Sequence, residues 1–104
     1  MEGLEMISFQ IISCVGSAKS MYMEAAMAAQ NYEFDKAEQL IKEGEEIFVK
    51  GHEAHASLIQ KEASGESVTP NMLLMHAEDQ LMSAEAFRIL ADEFITLYKR
   101  IDEK

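Results

Sequence analysis

The sequence predicts an all-α protein, an up-down-up antiparallel three-helix bundle, and three observations carry that expectation. Proline occurs once in 104 residues, and Ala, Glu, Lys, Leu and Met, which lose little rotamer freedom in a helix, dominate the composition. Turn signals fall in only two places. Between them run three stretches with apolar residues at steps of three and four, roughly 4–30, 35–63 and 70–101. The length predicts one domain, 1–104. A domain this small is short of buried area and gains from covering a further face with copies of itself.

The first stretch places Leu4, Ile7, Ile11, Val15 and Ala18 on one stripe. It ends at the polar break Gln30-Asn31-Tyr32-Glu33-Phe34-Asp35, where Asp35-x-x-Glu38 has the spacing of a capping box. The second stretch carries Ala37, Leu40, Ile41, Gly44, Ile47, Phe48, Gly51, His55, Leu58 and Ile59. Glycine inside a helix costs about 1 kcal/mol against alanine. Gly44 and Gly51 lie seven apart on one stripe, so they predict close helix contact rather than a break. In the second break, Gly65 is expected to end a helix, Thr69 to cap the next and Pro70 to take its first position. Short connections between helices of about 45 Å make neighbours antiparallel.

The third stretch has two apolar stripes at 100° per residue. Leu73, Ala77, Ala84, Phe87, Ala91, Phe94 and Tyr98 form an expected core face. Met72, Met75, Met82, Ala86, Leu90 and Leu97 form a second, which one three-helix bundle does not need and which predicts a symmetric homo-oligomer. Asp79 lies within this second stripe. Either several copies converge on an axis and a divalent cation, Mg²⁺ being favoured by oxygen ligands, neutralises their carboxylates, or Asp79 is a solvated residue on a Met-rich face. His76 is expected on the boundary of the two stripes, partly sheltered yet reachable. The residues alone leave it either a hydrogen-bonded boundary histidine or a functional one, and with Asp79 it makes a His-x-x-Asp pair able to hold a metal.

Other signals exclude function classes. Nine basic residues face nineteen acidic ones, a net charge of −10, which argues against nucleic acid and against charge-driven binding to anionic membrane, while leaving basic proteins as partners. No apolar run approaches the ~18–20 residues of a membrane span, so no membrane insertion is expected. The acidic start Met1-Glu2-Gly3-Leu4-Glu5 lacks the basic region of a signal peptide, and a cytoplasmic protein is expected. Cys14, among Ile11, Ile12 and Val15, is expected to be buried and inert. His52-Glu53-Ala54-His55 spaces its histidines three apart, not the four of a zinc-protease helix, and His55 is expected simply to pack.

The stretch Met72-Leu73-Leu74-Met75-His76-Ala77-Glu78-Asp79-Gln80-Leu81-Met82 resembles the signature of the enzyme IIA family of the lactose/cellobiose branch of the sugar phosphotransferase system, an apolar run followed by His-Ala-(Gln/Glu)-Asp-(His/Gln)-Leu-Met. Phe34-Asp35-Lys36-Ala37, Gly51-His52 and Leu58-Ile59-Gln60-Lys61-Glu62-Ala63 also resemble the family, with departures at Gly51, where Ala is usual, and His55, where Gln is. The resemblance implies a homotrimer of three-helix chains with Asp79 around a metal ion on the threefold axis, Mg²⁺ by the oxygen-ligand argument. It implies that His76 accepts a phosphoryl group from the phosphocarrier protein HPr and passes it to a cysteine of enzyme IIB. Gln80, one turn on, would hold the ring or donate to the phosphate. His-Ala-Glu-Asp-Gln leans towards cellobiose or a related β-disaccharide, with lactose also open. The alternative is a non-catalytic, metal-binding structural helical oligomer built on His76 and Asp79.

Overall fold

The structure, a computed structural model, describes residues 3–104 as three long helices: α1 (Gly3–Gln30), α2 (Phe34–Ala63) and α3 (Met72–Asp102). They form the expected up-down-up bundle, 56 × 23 × 20 Å. No helix among the described residues is long and apolar enough to cross a membrane.

The core lies on α1, which packs against both other helices much more extensively than they pack on each other. Ile11, Val15, Ala18 and Tyr22 are fully buried, with Phe48 and Leu58 of α2 and Leu74, Ala77, Leu81 and Ala84 of α3 closed over them. The two α2 glycines do what their stripe predicts. A Cβ on Gly44 would stand 2.7 Å from Tyr22 Cε1, and one on Gly51 would stand 2.8 Å from Val15 Cγ1. Close approach of α1 and α2 therefore depends on both. Cys14 lies against this contact but is half-buried, not buried as expected.

Polar side-chain pairs join α2 to α3, the two helices that pack on each other least. Glu38 accepts from Lys99 at 2.6 Å, Glu45 pairs with Arg88, and His55 Nε2 meets Glu78 Oε2 at 2.9 Å. His55 is thus a hydrogen-bonded residue and not the plain packing residue its stripe predicts. The Tyr22 hydroxyl also donates to Glu45, at 3.3 Å. Burial first, and the negative charge of Glu45 second, hold that hydroxyl above its ordinary titration range.

The helix ends correct three expectations. α1 and α2 both finish in a Schellman motif. At the first, Glu33 N–H donates to Ala28 O and Tyr32 N–H to Ala29 O, both at 2.9 Å. At the second, Glu66 N–H donates to Lys61 O and Gly65 N–H to Glu62 O. Gly65 has the positive φ this motif needs, +97°, and Tyr32 adopts +60° without being glycine. The Tyr32 ring makes edge contacts with Phe34 and Tyr98, centroids 6.1 and 6.4 Å away, which offset the strain. Because that motif delivers the chain directly into α2, Glu33 is the cap and makes no side-chain cap bond; Asp35 is only a first-turn carboxylate, not the capping-box residue. At α3 the cap is Asn71, not Thr69: Asn71 Oδ1 accepts from Leu74 N–H at 2.8 Å, and Pro70 precedes the helix instead of opening it.

Candidate functional site

The first three turns of α3 are fixed at their base. Asn71 satisfies an orphan N–H, and Leu74, Ala77 and Leu81 are buried against α1. The core face of α3 is Leu74, Ala77, Leu81, Ala84, Ala91 and Ile95. This corrects the expected stripe: Leu73, Phe87 and Tyr98 are half-buried at its flank and Phe94 is exposed. The physical reason is that α3 must face both α1 and α2, which turns its buried side towards the seam between them.

That rotation sets the site. His76, expected to be partly sheltered, is exposed on a flank of α3. Gln80, four residues on, shares that flank and is half-buried, and Asp79 is exposed on the side away from the core. No hydrogen bond joins Gln80 to His76 among the described residues. Glu78 points the other way, to His55 on α2. The arrangement presents an imidazole on a rigid helix with open approach, a geometry suited to a nucleophile. Among the described residues no three His, Cys, Asp or Glu side chains converge.

The second stripe of α3 has no partner within the chain. Met72, Met75, Met82, Ala86, Leu90 and Leu97 are all exposed, as the periodicity predicts. Alongside it an open apolar groove of about 310 Å³ runs between α1 and α3, lined by Met23, Met27, Phe87, Leu90 and Phe94 among others. The α1 side of this groove was not legible as a face from the α1 stripe. Its signal was available: Met6, Phe9, Met23 and Met27 fall on one heptad row, and all are exposed.

The profile described as the lactose/cellobiose-specific IIA subunit of the phosphotransferase system matches residues 6–99. The chain belongs to this family. A lichenan-specific phosphotransferase enzyme IIA component from Bacillus subtilis is 38% identical over 103 residues, covering 99% of this chain and 94% of that protein. A lactose-specific EIIA component from Staphylococcus epidermidis is 36% identical over 97 residues, covering 93% of each. The crystal structure of a cellobiose-specific enzyme IIA from Bacillus anthracis superposes with a TM-score of 0.96 at 38% identity, covering 100% of this chain and 95% of that one. As a IIA subunit, the chain is a phosphotransferase component of sugar uptake.

Proposed function

We propose that this IIA subunit carries its phosphoryl group on His76, receiving it from HPr and passing it to a cysteine of enzyme IIB. The observation that carries the reading is an exposed imidazole on a well-anchored helix in a chain of this family. In the first transfer a nitrogen–phosphorus bond on HPr breaks as one forms on His76; in the second that bond breaks as the IIB thiolate takes the phosphorus. Such transfer is mostly positioning and charge stabilisation, so the rigid helix and open flank suit it. Gln80, four residues on along the same flank, is the donor this reading assigns to the ring or its phosphate.

The working form is a homotrimer. Twelve of the fifteen exposed large apolar residues among those described lie on α1 and α3. Burying them against neighbouring copies would cover the apolar surface that one chain leaves open. Three Asp79 carboxylates then meet on the axis, flanked by Met75 and Met82, where Mg²⁺ or a shared proton offsets their repulsion. The sugar is a cellobiose-type β-disaccharide, with lactose the competing outcome of an uptake assay.

Incubation with enzyme I, HPr and phosphoenolpyruvate tests the site. The protein should gain one phosphoryl mass, His52→Ala and His55→Ala should still gain it, and His76→Ala should not while keeping its helicity. Labelling that survives in His76→Ala sinks the assignment, and no labelling of the unmodified chain favours the structural metal-binding oligomer.

A further inference from the structure

Three glycines lie well inside helices, and the chain explains only two of them. Gly44 and Gly51 admit Tyr22 and Val15, whereas a Cβ on Gly16 would have nothing within 4 Å. Yet Gly16 carries the same helix cost as the others, about 1 kcal/mol against alanine. It sits at the centre of the outward row of α1, between Ser13 and Ser20, with Met6 and Phe9 exposed at one end and Met23 and Met27 at the other. The row is apolar at both ends and small in the middle, the shape of a face that admits a large side chain at its centre.

The occupant follows from level. Lys19 lies over the Phe87 ring, 4.7 Å from its centroid, and α1 runs parallel to α3. That contact, and the groove that Met23 and Met27 line together with Leu90 and Phe94, put Gly16 within a turn of Ala84, which is buried. On the outward row of α3 the residues either side of that level are Met82 and Ala86, and Met82 is the large one, 67% exposed. Copies related by rotation about an axis along the bundle keep their levels, so a neighbour's α3 meets α1 at the same height. We propose that Met82 of one copy seats on Gly16 of the next, the knob and the hole that set the axial register of the assembly. This rests on the homo-oligomer reading above and adds the contact that aligns it. Ser13 and Ser20 flank the hole with side chains too small to obstruct it.

The test is sedimentation equilibrium of four proteins with helicity measured on each. Gly16→Leu should keep full helicity, because the chain itself leaves the space open, while weakening assembly more than a hundredfold. Met82→Ala should weaken it less, and Gly16→Leu combined with Met82→Ala should recover assembly to within tenfold of Met82→Ala alone. A Gly16→Leu protein that assembles like the unmodified one, or a double variant no better than Gly16→Leu, overturns the contact. Unmodified protein that stays monomeric at micromolar concentration overturns the assembly reading, and this contact with it.

Discussion

Adding one methyl group at Gly44 should destabilise the bundle, although alanine is the better helix former. In Gly44→Ala the new Cβ would lie 2.7 Å from Tyr22 Cε1, 3.1 Å from Tyr22 Cδ1 and 3.4 Å from Ala18 O. Favourable carbon contacts begin near 3.5 Å, so almost an ångström has to be recovered. Tyr22 cannot swing away cheaply, being fully buried with its hydroxyl on Glu45. Overpacking of this kind costs ~1–3 kcal/mol, and the upper half applies where the neighbour is a locked ring. Subtracting the helix gain of about 1 kcal/mol leaves a net loss of roughly 1–2 kcal/mol. For a chain of this size that lowers Tm by about 5–15 °C. Thermal unfolding followed by circular dichroism, at matched protomer concentration because assembly shifts Tm, measures it. A Tm unchanged or raised would refute the claim that the α1–α2 distance is set by contact at this glycine.

Three further outcomes are expected. Above pH 10 the unfolded chain loses its Tyr22 proton while the folded chain keeps it, so the stability present below pH 10 falls as pH rises, by up to about 1.4 kcal/mol per unit. Urea unfolding across pH 9–11.5 should show Tyr22→Phe closing its gap to the unmodified protein; parallel curves would contradict this. Tyr32→Gly should be nearly neutral, since relief of the positive φ offsets two lost edge contacts, while Tyr32→Ala should lose about 1–2 kcal/mol by keeping the strain and losing the contacts. Asp79→Leu should keep or raise Tm and abolish its dependence on Mg²⁺, because it removes converging carboxylates and fills the axis; a marked loss of Tm with the unmodified protein indifferent to Mg²⁺ would refute the axial role.

Much of the fold was legible because periodicity and punctuation agreed. The two glycines of α2, the breaks near Tyr32 and Gly65, and the surplus stripe of α3 each had a local signal. The capping details were not legible, because a Schellman motif does not require glycine. Tyr32 takes the left-handed position on the strength of rings supplied by Phe34 and Tyr98, the second of them 66 residues away in sequence. The core face of α3 was misplaced by one residue, Leu73 for Leu74 and Phe94 for Ile95, because that helix has apolar residues on nearly every side and only its seat against α1 and α2 together decides which turn inward. The His55–Glu78 bond had no local signature, as its partners lie on different helices. For the candidate site, periodicity placed His76 near an edge. Only the motif singled it out, since an exposed histidine on a helix carries no chemical signal by itself.

The surroundings of His76 bear on its chemistry. From Glu62 to Phe87 the sequence holds no lysine or arginine, while Glu78 and Asp79 bring negative charge within one turn. Arg88, the next cation along α3, is about 18 Å further along the axis and engaged with Glu45. A phosphoryl group on His76 would find no cation within several turns along its own helix and would be held without an ion pair there. Stabilising the phosphorylated form would lower its transfer potential; leaving it uncompensated keeps the nitrogen–phosphorus bond ready to transfer. A protein that docks can supply charge that stabilises the transition state, at the moment it docks. A chain of net charge −10 draws basic surfaces towards it, so the same acidity that withholds a cation from the resting site recruits one for transfer. Association with a basic partner should accordingly slow as salt rises, while hydrolysis of the isolated phosphoprotein should respond far less.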